Sequence, residues 1–152
     1  MRRIGWVAML GLAACVSGTP RPVPPATEFQ VDASPANALA IALDAVTAQG
    51  FPLRAHDPVR GVVETNYTDI AQYVQAANQF PPAERNVRFR IVVVPAETGY
   101  GSMIAIEARY SPFLGGGADI SARRERPIPR DHPAMELVRE LERYVTERAA
   151  GR

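Results

Sequence analysis

The chain has 152 residues, 47% of them hydrophobic, with 17 arginines, no lysine, 16 acidic residues and one cysteine. That length and apolar content suit one packed domain, while a formal net charge of +1 leaves no basic excess for neutralising phosphates, which argues against nucleic acid as a partner. A single cysteine excludes an intrachain disulfide framework.

Arg2 and Arg3 precede residues 4–14, a run of eleven without charge. Crossing a bilayer takes roughly 20 apolar residues and an export signal only about 7–15, so residues 1–14 are predicted to be a signal peptide. Leu12-Ala13-Ala14-Cys15 at its end resembles the bacterial lipobox. The resemblance implies cleavage between Ala14 and Cys15, diacylglycerol on the Cys15 sulfur and a further acyl chain, such as palmitate, on its amine. Two or three chains, at ~0.8 kcal/mol per buried methylene, hold a protein on a membrane where one chain does not. Val16 in place of aspartate implies, by the same resemblance, the outer membrane with the domain facing the periplasm. Without Arg2 and Arg3, fifteen arginines stand against sixteen acidic residues.

Residues 15–27 are predicted to be the lipidated cysteine and a linker. Pro20, Pro22, Pro24 and Pro25 fix φ and lack amide donors, giving a semi-rigid stalk. At about 3.1 Å per residue, residues 17–27 reach up to ~34 Å.

A single domain is predicted over residues 28–150. Residues 28–32 alternate polar and apolar as a half-buried strand. Ser34-Pro35 opens a helix and Gly50 closes it, with Leu39, Ala42, Leu43 and Val46 on its inner face. Two strands follow over 51–56 and 61–67, joined by a turn at Asp57-Pro58-Val59-Arg60-Gly61. Over 69–80 the spacing of Ile70, Tyr73, Val74 and Ala77, with Asp69 as cap, predicts a short helix. The alternating runs 86–95 and 102–111 flank a loop with Gly99 and Gly101 and predict a hairpin. Centring that loop pairs Val87 with Tyr110, Phe89 with Ala108, Ile91 with Ile106 and Val93 with Ile104 on the core face. Arg90 then lies across from Glu107, and Arg88 across from Arg109, on an exposed face. Residues 118–124 read as an edge strand, and 133–149 as a helix capped by Asp131 or His132, with Val138, Leu141 and Val145 inward. The fold class is α+β: an antiparallel sheet of four to six strands with two long helices on one face, in the order β-α-β-β-(α)-β-β-α.

No catalytic or metal-binding set emerges, and no cofactor is expected. A hydrolase would need His56 or His132 beside Ser102, Ser111 or Ser121, whereas Asp57-Pro58 reads as turn chemistry and His132 as helix capping. Gly115-Gly116-Gly117 lacks the Lys-Ser/Thr of a phosphate-binding loop. Arg123, Arg124, Arg126 and Arg130, together with Arg88 and Arg109, are the candidate contacts for an acidic partner, an anionic headgroup or a glycan phosphate. The alternative for each is a solvated face. Phe113-Leu114 reads as an exposed apolar pair.

The stalk, the strand and helix ending QGFPL, and then DPVRGVVETNY, resemble the small domains of the lipoprotein C-subunit of the outer-membrane β-barrel assembly machinery over residues 28–67. The resemblance implies a non-enzymatic accessory that binds protein partners in an envelope complex. An alternative function is a lipoprotein holding a lipid or other small apolar ligand between helix and sheet, near Phe89, Ile91, Ile104, Ile106 and Leu141.

Overall fold

A computed structural model describes residues 26–111 and 125–151. Cys15, the stalk up to Pro25, Phe113-Leu114, the glycine triplet, Ser121, Arg123, Arg124 and the edge strand expected over 118–124 lie outside the described residues, while Thr27, expected to end the linker, already belongs to the first strand.

The order is β1 (Thr27–Val31), α1 (Pro35–Ala48), β2 (Leu53–Asp57), β3 (Val62–Thr65), β4 (Thr68–Asp69), a short helix α2 (Pro82–Arg85), β5 (Asn86–Pro95), β6 (Ser102–Tyr110), β7 (Arg126–Pro127) and α3 (Ala134–Ala149). All pairings are antiparallel, in the lateral order β1-β6-β5-β3-β2, with β4 continuing beside β5 and β7 beside β6. The fold is thus α+β, with five principal strands and two two-residue ones.

The β5–β6 hairpin sets the layers. Val87 pairs with Tyr110, Phe89 with Ala108, Ile91 with Ile106 and Val93 with Ile104, the register expected from the alternation. Successive side chains point to opposite faces, so Val87, Phe89, Ile91 and Val93 all turn to one side and are at most 4% exposed. Helices α1 and α3 cover that side, bringing Leu39, Ala42, Val46, Val138, Leu141 and Val145 into the same core. The loop closes through Gly99 and Gly101, at φ +79° and +75°. A Cβ on Gly101 would run into the Val31 carbonyl oxygen, so glycine is needed there for space as well as for backbone sign.

Local signals explain the ends of α1. The Ser34 hydroxyl accepts from the Asn37 amide, Pro35 opens the helix, and Gly50 follows it at φ +77°. In the β2–β3 turn, the Asp57 carboxylate accepts from the amides of Val59 and Arg60 at 3.1 and 3.0 Å. The helix expected over 69–80 is instead two tight turns of 3-10 helix, Ile70–Gln72 and Gln75–Gln79. Val74 between them is extended, at φ −125° and ψ 111°, which interrupts the helical ladder. Ile70, Val74 and Ala77 are nevertheless buried, and the Asp69 side chain caps Ala71, so the apolar spacing and cap hold without the α-helix.

Among the described residues no helix is long and apolar enough to cross a membrane.

Phe89 is fully buried between the Phe51 ring, with centroids 4.9 Å apart, and the helices. Phe89→Ala is expected to lower unfolding free energy by about 3–5 kcal/mol. Glu97→Ala, in the exposed hairpin loop, should change it by under ~0.5 kcal/mol. Denaturant unfolding of both variants checks this.

Candidate functional site

The face of the sheet away from the helices carries the residues of opposite parity. At one end of this open face, six charged side chains close into a ring of alternating sign. Arg88 Nε lies 2.7 Å from Glu125 Oε1 and its Nη1 3.6 Å from Glu64. Glu64 reaches Arg90 Nε at 3.2 Å, and Arg90 Nη1 lies 3.9 Å from Glu107. Glu107 accepts from Arg109 Nη2 at 2.7 Å, and Arg109 Nη1 returns to Glu125 at 3.7 Å. Three cations and three anions balance, so the ring has no net charge.

Register builds this arrangement. Glu64, Arg90 and Glu107 are direct cross-strand partners on β3, β5 and β6. Arg88 and Arg109 are also direct partners, and two guanidiniums face to face need an intervening carboxylate. Glu125 supplies it from the residue before β7, with a side chain only 4% exposed. Arg88 Nη2 donates to Glu125 Oε2 at 2.8 Å, the Tyr67 hydroxyl donates to Oε1, and the Arg88 guanidinium lies 5.7 Å from the Tyr67 ring centroid. Burial, followed by the hydrogen bond to Glu125 and that residue's charge, pushes the Tyr67 phenol well above its ordinary pKa, so it stays a donor.

The expectation that Arg88, Arg90 and Arg109 form a simply exposed face is corrected here. Arg88 is 9% exposed, and all three guanidiniums face carboxylates. Their partners Glu64, Glu125 and Tyr67 escaped the sequence reading. Alternation along 61–65 places Glu64 on the polar side, but Glu125 sits in an aperiodic stretch with no local signal. Beside the ring the open face turns apolar, with the rows Val62-Val92-Ala105 and Val94-Met103 crossing it. Val94 is 44% exposed.

Arg126 and Arg130 are exposed and, among the described residues, have no carboxylate partner. Arg130 lines a cleft of about 710 Å³ with Ala26, Thr27, Pro127, Ile128, Met135 and Arg139. Of the predicted arginines that are described, Arg88 and Arg109 belong to the neutralised ring, Arg130 lines this cleft and Arg126 lines neither.

The histidines do not converge. His56 is exposed on edge strand β2, and His132 is buried against Tyr110 and Phe80, at 6.5 and 4.8 Å between centroids. His132 Nδ1 accepts from the Ala134 amide at 3.1 Å, satisfying the first amide of α3, although the N-cap position itself falls to Pro133 and not to Asp131 or His132. Ser102 is buried and donates to the Ala33 carbonyl at 2.7 Å, at the opposite end of β6 from the His132 ring. Among the described residues no cluster of three His, Cys, Asp or Glu could hold a metal ion. Between the helices and the sheet, Phe89, Ile91, Ile104, Ile106 and Leu141 are at most 1% exposed, so side chains fill the space expected for an apolar ligand.

No protein-family model matches the chain, and no curated protein matches it.

Removing the Glu125 charge while keeping its shape leaves Arg88 buried with only the more distant Glu64. Glu125→Gln is expected to cost about 3 kcal/mol in unfolding free energy. Arg143→Gln, in an exposed pair with Glu147, should cost under ~0.5 kcal/mol. His132 gives a pH dependence. Burial lowers its pKa from 6.5, only partly offset by Glu84 and Asp131, so the unfolded chain binds the proton more readily. Stability is fully present above pH 6.5 and falls as pH drops below it. Thermal unfolding between pH 7.5 and 5 should show this slope, and His132→Gln should flatten it.

Proposed function

We propose that this protein is a lipid-anchored, non-catalytic module of the bacterial envelope that serves as an accessory to a protein complex. The observation that carries the reading is Leu12-Ala13-Ala14-Cys15 at the end of the uncharged run that begins at residue 4. The stalk of prolines that follows suits a domain held off a membrane surface.

The described residues support an interaction role more than a chemical one. Their charge on the open sheet face is tied up in a neutral ring, their two histidines lie on different elements, His56 on β2 and His132 before α3, and the side chains between helices and sheet are buried. What remains available is apolar area beside the ring, at Val62, Val92, Val94, Ala105 and Met103, together with Val59 and Tyr100 on the adjacent turns, 94% and 81% exposed. An apolar patch next to charged side chains is compatible with the apolar centre and polar margin of a protein–protein contact.

Two measurements test the reading. Intact-mass analysis of the membrane-extracted protein is expected to show a chain starting at acylated Cys15, and Cys15→Ser is expected to lose the mature form and its membrane fractionation while keeping the folded domain. A bare Cys15 or a retained leader overturns the anchor. A photo-crosslinker at Val94 should capture an envelope protein in the living cell, and one at Glu147 on the helix side should not. Equal capture from both positions overturns the interaction role.

A further inference from the structure

Four arginines among the described residues lack a carboxylate partner: Arg54, Arg126, Arg130 and Arg139. Every other described arginine has one, from Arg60 with Asp57 to Arg148 with Asp44. Arg54 lies apart on β2, but the other three group together: Arg130 and Arg139 share the cleft at the start of α3 and Arg126 lies on β7 just before it. Asp131 and Glu136 are close in sequence to these two guanidiniums, yet form no ion pair with either. Arg139 uses its Nε to donate to the Met135 carbonyl at 3.0 Å, which holds the side chain over the first turn of α3 and leaves its terminal nitrogens free.

The rest of the cleft is apolar. Ala26, Pro127, Ile128, Pro129 and Met135 form its walls, and its volume of about 710 Å³ falls in the range of small-molecule sites. Two free guanidiniums over such a floor match an anionic headgroup carried on hydrocarbon. A guanidinium bonds phosphate oxygens in a planar fork, and apolar walls accept glycerol and the first methylenes.

Position selects among such ligands. Ala26 and Thr27 line the cleft, and they are where the chain from Cys15 enters the domain. Cys15 lies eleven residues earlier, within ~34 Å of extended chain. The cleft is therefore on the side of the domain nearest the proposed anchor.

We propose that the cleft between the start of β1, residues 127–130 and α3 binds the phosphate headgroup of an anionic membrane lipid through Arg130 and Arg139. This deepens the anchored-lipoprotein reading and rests on it for orientation: the domain would be seated on the bilayer by its basic end, with the Val59 and Tyr100 turns pointing away.

The test is native mass spectrometry of the full chain released from neutral-detergent micelles with equal amounts of dihexanoyl phosphatidylglycerol or dihexanoyl phosphatidylcholine. One phosphatidylglycerol per chain should be retained, about tenfold in preference to phosphatidylcholine. Arg130→Gln/Arg139→Gln should abolish the preference, with the circular dichroism of the folded domain unchanged. Arg143→Gln, one turn further along α3, outside the cleft lining and paired with Glu147, should leave it intact. Equal retention of the two lipids, retention of neither, or a preference that survives the double substitution overturns the proposal; retention of neither would assign the arginines to another anion, such as an acidic protein segment. The same spectrum reports the mass at Cys15. Preference with a bare Cys15 supports the cleft and overturns the anchor, and an acylated Cys15 without preference overturns the cleft alone.

Discussion

The nine-residue register between β5 and β6 constrains everything else in this domain. Because side chains alternate strictly along a strand, placing Phe89 and Ile91 under the helices commits Arg88 and Arg90 to the opposite face. A one-residue slip would put two guanidiniums into the core and four large apolar groups into water. The register is held at both ends. Gly99 and Gly101 close the loop, and at the far end the Thr65 hydroxyl accepts from the Phe89 amide at 2.9 Å, where the pairing of β3 has ended and that of β4 has not begun.

The charge ring follows from that register. Like charges directly opposite on neighbouring strands repel, so Arg88 and Arg109 can share a row only with a carboxylate between them. Glu125 fills that place, taking contacts from both arginines and from Tyr67. Its position also explains β7. Two residues with one proline make a weak strand, but the residue before them is held by a nearly buried ion pair, and Ile128 just after them enters the core and donates its amide to the Ala108 carbonyl. Burying charge in this way adds little stability over an apolar replacement, and its effect is to fix which segment lies against β6.

These two layers differ in how legible they were. The hairpin register, the face of α1 and the turn at Asp57 could be read because each rests on neighbours in sequence: alternation, helical spacing, a cap, a glycine of positive φ. Residues 69–80 show the limit of that kind of signal. Ile70, Val74 and Ala77 do reach the core, but helical spacing cannot register that Val74 is extended, since two short turns deliver the same side chains. Glu125 was beyond reach for another reason. Its partners are 37 residues away at Arg88 and 58 away at Tyr67, in a proline- and arginine-rich stretch with no period, so nothing local distinguishes it from Glu97 in an open loop. The arginines were visible as a group, whereas their division into neutralised and unpaired members depended on where the carboxylates fell.

That division gives the domain a direction along its strands. The ring, β7, the entry at Ala26 and the unpaired Arg130 and Arg139 lie toward one end, and the exposed Val59 and Tyr100 turns with Val94 toward the other, roughly four to six residues of strand or ~14–20 Å away. A tether alone would leave such a domain free to tumble. Yet a tether also raises the local concentration of lipid headgroups at the cleft into the millimolar range, so a contact too weak to recruit a free protein is sufficient to orient an anchored one. Two guanidiniums and an open apolar cleft are the scale of site that this situation requires. A tighter lipid site would add retention that the proposed acyl chains already provide, whereas a weak one fixes which end faces outward and leaves the apolar turns clear of the bilayer.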